Sequence, residues 1–151
     1  MPTQQQGLLV IQHLGQSYRA MQGAFGSRVG HALPRWRILL ALHELGTSSQ
    51  KVLAERCRLD PASLTRQLQA MEKLGWISRE VDAGDNRLTN ASLTPAGDAV
   101  VREALPRRAA FFQEMLEGLS DPEIAALNQA LGVLERNALA AGRGAGGAAE
   151  D

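Results

Sequence analysis

The chain has 151 residues, with sixteen Lys and Arg against sixteen Asp and Glu, and this length predicts one compact domain with or without extensions. Its 44% hydrophobic content excludes global disorder, and no run of about 18 apolar residues offers a transmembrane helix. The neutral total hides a gradient: four Arg face one acid in residues 1–50, seven basic face six acidic residues in 51–91, and five face nine in 92–151, so a phosphate-facing surface is expected before residue 92.

Leu8, Ile11, Leu14, Tyr18, Met21, Phe25 and Val29 follow three- and four-residue steps and predict a helix over 7–29. That stripe is longer than one small core needs, which points to a partner helix from a second copy. Pro34 opens a second helix, 34–45, with Gly46 as its stop. Ser49 caps a short helix, 50–57, whose Val52, Leu53 and Cys57 are expected to face inward. Asp60 and Pro61 then form a cap and first position for a helix running to about Leu74 and stopped by Gly75. On its wheel Leu64, Leu68 and Met71 lie within about 60° of one another, and Ala62, Thr65, Arg66, Gln69 and Lys73 lie opposite. Two short helices joined by a tight turn are a helix-turn-helix.

The period then changes. Residues 76–81 and 88–93 read as strands joined by the turn formers of 82–87, a β-hairpin wing. Thr94 and Pro95 begin a helix to about Leu119, and Ser120 with Glu123 is a capping box that opens the last helix. The fold class expected is mainly α with a small β-hairpin wing. Residues 34–94 are the winged helix-turn-helix, 7–33 and 95–140 a helical dimerisation domain, and 141–151 a disordered tail.

Order and spacing over Leu33 to Gly97 resemble the MarR family of winged helix-turn-helix regulators. The stretch "SSQKVLAERCRLDPASLTRQLQAMEKLGWI" is similar to the family's third helix, recognition helix and start of the wing. "DAGDNR" matches its Asp-x-x-Asp-x-Arg wing, and "SLTPAG" the helix after it; Cys57 and Asn86 depart from the usual residues. The resemblance implies a cytoplasmic homodimer in which helices from both chain ends interlock. It implies a transcriptional repressor, not an enzyme, that occupies a pseudo-palindromic double-stranded DNA operator. It also implies release by a small aromatic or heteroaromatic acid, with no membrane partner.

Site residues follow. Ala62, Ser63, Thr65, Arg66 and Gln69 are placed to meet base edges in a major groove, Arg66 gripping guanine and Gln69 adenine, while Lys73 meets phosphate. Ser49 and Gln50 stand at a helix N-terminus that favours a phosphate, although Ser49 also fits a plain cap. Arg87 at the hairpin tip suits a narrow minor groove, with Asp85 holding its guanidinium; the bland reading is a solvated turn ion pair. For the ligand, the family comparison points to Tyr18 and Arg19 as carboxylate partners and Trp36 as a stacking wall, with His13 and His31 nearby. Tyr18 and Trp36 equally fit core positions, and Arg19 an ordinary ion pair.

Cys57 reads as a buried, inert thiol, and a lone cysteine fits a reducing cytoplasm. The first residues carry no basic group ahead of the apolar ones, so no secretory signal is expected. His13, His31 and His43 show no metal-ligand spacing with Cys57, and no phosphate loop or nucleophile elbow is present, so neither metal nor cofactor is expected. The alternative function is a dimeric small-molecule-binding or protein-interaction module without DNA binding.

Overall fold

The computed structural model describes residues 1 and 3–146, and its elements follow the sequence cues closely. Helix α1 (Gln4–Val29) begins earlier than the apolar stripe, because Thr3 and Gln6 form a reciprocal capping box. It ends at Gly30, whose φ of 89° lets its N–H close on the Gly26 carbonyl. Helix α2 (Leu33–Leu45) carries Pro34 in its first turn and stops at Gly46. Helices α3 (Gln50–Cys57) and α4 (Pro61–Lys73) form the helix-turn-helix. Arg58 makes their tight turn in the left-handed region, φ 53°.

The wing strands are β2 (Ile77–Val81) and β3 (Thr89–Leu93). A third strand, β1 (Ser48–Ser49), was not expected. It pairs antiparallel with the other edge of β3, Ser48 against Ala91 and Ser49 against Asn90, so the sheet order is β1-β3-β2. The wing is therefore a three-stranded sheet and not a bare hairpin. Helix α5 (Pro95–Met115) is capped by Thr94, whose Oγ1 accepts from the Gly97 N–H at 3.1 Å. It stops four residues short of the expected end, and Gly118 has φ 87°. Ser120 and Glu123 cap helix α6 (Asp121–Gly146) reciprocally, as expected.

Two compact units divide the chain, Met1–Phe111 and Phe112–Asp151. The core of the first is not confined to the 34–94 segment. Phe25 and Val29 of α1 and Val101, Ala104 and Phe111 of α5 are buried with Ile38, Leu39, Leu42, Leu53, Leu64, Leu68, Met71 and Ile77. Phe25 meets Phe111 edge to face, with ring centroids 5.9 Å apart. His43 Nδ1 lies 3.0 Å from Asp98 Oδ1, and Arg102 Nε donates to the other carboxylate oxygen at 2.6 Å, which ties α2 to α5. Val52, expected inside, is exposed, because Leu53 and Cys57 already fill the inward face of α3.

The N-terminal half of α1 contrasts with its C-terminal half. Leu8, Ile11, Leu14 and Tyr18 are exposed, although they continue the stripe that Phe25 and Val29 bury. In the second unit, Leu127, Leu131 and Leu139 of α6 are exposed too. Residues 141–146, expected as part of a disordered tail, continue α6; the rest of that expected tail lies outside the described residues.

Candidate nucleic-acid interface

The recognition helix is rotated into place by its apolar face. Leu64, Leu68 and Met71 are fully buried, so Ala62, Arg66, Gln69 and Lys73 must stand on the exposed side. Asp60 starts the helix by accepting from the Ser63 N–H at 2.9 Å and the Ser63 hydroxyl at 2.6 Å. Those bonds hold the Asp60 carboxyl below its ordinary range. Arg66 Nη2 donates to Ser63 Oγ at 3.0 Å, so its guanidinium starts from a defined position on the exposed face. Thr65, half-buried, donates to the Pro61 carbonyl at 2.9 Å and accepts from Gln50 Nε2 at 3.5 Å. Gln50 is thereby tied to α4. Ser49 Oγ accepts from the Val52 N–H at 3.2 Å, the plain cap, while its backbone belongs to β1.

One residue pair that sequence reasoning missed fixes α4 against the wing. Arg79 on β2 donates to both oxygens of Glu72, at 3.1 and 3.2 Å. This fork holds the Glu72 carboxyl below its ordinary range.

The wing tip is organised by two aspartates. Asp82 Oδ2 accepts from the Gly84 and Asp85 N–H groups, each at 2.9 Å, and its Oδ1 accepts from Asn90 Nδ2 at 2.8 Å. Asp85 Oδ1 accepts from both the N–H and the Nε of Arg87, at 3.0 and 3.1 Å, and Oδ2 accepts from Nη2 at 3.2 Å. The Arg87 side chain is nevertheless 89% exposed, against 35% for Asp85. The pair thus holds an extended cation at a tip and buries almost nothing. Asp82 escaped sequence reasoning as a site organiser, although an Asp two residues before a Gly is an Asx-turn signature.

These bonds make the tip acid-sensitive. The bonds from Asn90, Gly84 and Asp85 lower Asp82, and those from Arg87 lower Asp85. With folded values below unfolded ones, the stabilisation is complete at neutral pH and is lost as pH falls through the folded values. The Gly84, Asp85 and Arg87 amide proton resonances should therefore shift together in an NMR titration, with midpoints below the ordinary Asp value of about 3.9. Midpoints at or above that value would contradict the hydrogen bonds.

Of the residues expected at a ligand pocket, the structure brings two together. The His31 ring stacks on Trp36, centroids 6.3 Å apart at 21°, and meets Trp76 edge to face at 5.6 Å. Trp36 is buried in the core, 3% exposed. Three arginines not anticipated here stand around the rings. The Arg35 guanidinium lies 5.9 Å from the Trp76 centroid and that of Arg108 lies 5.6 Å from Trp36. Burial first, then the charges of Arg107 and Arg35, lowers the His31 imidazole below its ordinary value, with Glu103 opposing. Arg35 Nε is buried without a hydrogen-bond partner among the described residues. His13, Tyr18 and Arg19 stand exposed on α1 instead, and the Tyr18 hydroxyl accepts from Arg37 Nη2 at 3.3 Å. No group of three or more His, Cys, Asp or Glu among the described residues is placed to hold a metal ion, and no described helix is long and apolar enough to cross a membrane.

A helix-turn-helix with an exposed, capped recognition helix and a three-stranded wing ending in an arginine defines a winged-helix DNA-binding protein. Residues 32–89, the helix-turn-helix and the start of β3, match the profile of the MarR family. The curated relatives it resembles are named as HTH-type transcriptional regulators. The uncharacterised HTH-type regulator YdgJ of Bacillus subtilis (strain 168) is 29% identical over 75% of this chain and 69% of its own. The HTH-type transcriptional repressor IacR of Pseudomonas putida is 26% identical over 70% of this chain and 63% of its own. Among solved structures, a probable transcriptional regulator from Pseudomonas aeruginosa has a TM-score of 0.75 at 28% identity, covering 80% of this chain and 92% of that one. NadR in complex with 4-hydroxyphenylacetate has a TM-score of 0.66 at 26% identity, covering 89% and 97%. Bordetella bronchiseptica BpsR, whose DNA binding is regulated by 6-hydroxynicotinic acid, shares the fold with a TM-score of 0.76 at 22% identity, covering 84% and 98%.

Proposed function

We propose that this protein is a homodimeric repressor that occupies a pseudo-palindromic operator and leaves it when a small aromatic or heteroaromatic acid binds. The observation that carries the reading is the exposed Arg87 fork, held by Asp85 in the same compact unit as the exposed Arg66, Gln69 and Lys73. In this reading the exposed face of α4 enters a major groove. Ala62, Ser63, Thr65, Arg66 and Gln69 meet base edges there. Lys73 and the start of α3, at Ser49 and Gln50, meet phosphate, and Arg87 meets a minor groove. The exposed apolar residues of α1 and α6 support the homodimer, since each helix leaves a stripe that a second copy would cover. The chain termini would then form the dimerisation domain and residues 34–94 the DNA-binding part.

The acid is supported by the relatives whose names carry 4-hydroxyphenylacetate and 6-hydroxynicotinic acid, and by the chemistry around Trp36. Aromatic rings with Arg35, Arg107 and Arg108 beside them suit a planar carboxylate better than Arg19 alone. His31 and Trp36 are its proposed walls.

Selection from random duplex DNA tests the whole reading. Enriched sequences should hold two inverted half-sites centred about 34–36 Å apart. Binding should fall steeply with salt and weaken when salicylate or nicotinate is added. Light scattering should show a dimer at micromolar concentration. A stable monomer would overturn the assembly. Failure to retard any DNA at low salt would favour the ligand-binding or interaction module. Acids that bind free and DNA-bound protein equally would not be effectors.

A further inference from the structure

Three arginines of α4 and the wing are held by other side chains, and not in the same way. Arg79 gives Nε and Nη2 to Glu72, and Arg87 gives Nε and Nη2 to Asp85. Each of those forks is closed on a carboxylate. Arg66 instead gives Nη2 to the Ser63 hydroxyl at 3.0 Å and forms no ion pair among the described residues. Its carboxylate stands one step removed. Asp60 Oδ2 accepts from the same hydroxyl at 2.6 Å, while Oδ1 accepts from the Ser63 N–H at 2.9 Å. Asp60, Ser63 and Arg66 are thus linked in series along the first turns of the recognition helix.

The direction of this chain follows from counting protons. The two bonds from Ser63, with the Arg66 charge adding to them, hold the Asp60 carboxyl below its ordinary range. At neutral pH it is ionised and can only accept. The one hydroxyl proton of Ser63 therefore points at Asp60. Its lone pairs are left for Arg66, which can only donate. Neither bond can run the other way. The hydroxyl pins the guanidinium at one corner and leaves its remaining N–H groups open.

We propose that Ser63, polarised by Asp60, is a positioning residue for base reading: it fixes Arg66 in one orientation from which the open N–H groups meet O6 and N7 of a guanine. The inference rests on the reading that α4 enters a major groove, and it gives Ser63 its part there through Arg66. A loose arginine finds a phosphate as readily as a base edge, and phosphate contacts carry no sequence information. An arginine already held loses less freedom on meeting its base. The relay therefore sets discrimination between sequences more than total affinity.

Fluorescence anisotropy of the full-length protein with its selected operator and with random duplex of equal length tests this. Ser63→Ala keeps the backbone N–H bond to Asp60, so α4 still starts and the melting temperature should hold. The ratio of operator to random affinity should fall by about fivefold per half-site, with random-duplex affinity and its salt slope unchanged. Ser63→Thr, which keeps the hydroxyl, should restore the ratio. Asp60→Asn still caps the helix but turns one acceptor into a donor, so it should lower the ratio as Ser63→Ala does. In an Arg66→Ala background, Ser63→Ala should change nothing further. Additive losses would overturn the relay, because Ser63 would then touch DNA itself. An unchanged ratio in Ser63→Ala, or equal losses on operator and random DNA, would also overturn it while the operator reading stands. A wild-type protein that prefers no sequence would overturn both.

Discussion

Arg87→Ala is expected to weaken operator binding by roughly 1–3 kcal/mol, about fivefold to 150-fold, and to lower the salt slope by about one counterion. The side chain touches nothing within the chain except Asp85 in the contacts described, and it is almost fully exposed. Removing it leaves the core and the sheet pairing intact, so light scattering and melting temperature should not move. Fluorescence anisotropy at several salt concentrations measures both quantities. Asp85→Ala should give a smaller loss in the same direction, because the carboxylate only orients the guanidinium; an exposed pair adds about 0–1 kcal/mol to stability. Unchanged affinity and slope in Arg87→Ala would remove the wing from the interface.

Gly97→Ala is expected to be the most destabilising small substitution in the chain. A Cβ at this position would overlap the carbonyl oxygen of Trp76, which is backbone and cannot rotate aside. That carbonyl accepts from the Thr94 N–H at 3.0 Å, and the Gly97 N–H closes the Thr94 cap, so any retreat breaks the join between β3 and α5. The cost should be on the order of 3–5 kcal/mol, with a melting temperature lower by roughly 6–20 °C. A variant that melts with the wild type would show that α5 can slide on the wing at no cost.

Local signals carried most of this architecture into the sequence. Asp60 with Pro61, Ser49, and Ser120 with Glu123 each mark a helix start by side-chain chemistry within three residues, and each is found capping as expected. The Asp85–Arg87 fork was legible for the same reason, two residues apart on a turn. What escaped is non-local. Strand β1 has two residues and no alternation, so nothing but its partner β3 reveals it. The burial of Phe25 against Phe111 joins residues far apart in the chain. Helical periodicity announced an apolar face but not that its lower half packs in the winged unit. The arginines around Trp36 arrive from α2 and α5, and the doublet Arg107-Arg108 carries no sequence signature of a pocket. Arg19 had the right chemistry for an anion and stands exposed on α1.

The two-residue strand has a consequence for how the wing can vary. Because β3 is gripped on both sides, by Ser48 and Ser49 along one edge and by Ile77–Val81 along the other, its register is set twice. Slipping β3 by one residue would turn the buried Ala91 outward and misalign both neighbours at once. Insertions or deletions between Asp82 and Leu88 therefore cannot propagate into the sheet; they are absorbed at the tip. The reach of Arg87 is thus a freely adjustable length mounted on a fixed base, and relatives can lengthen or shorten it without disturbing the helices beneath.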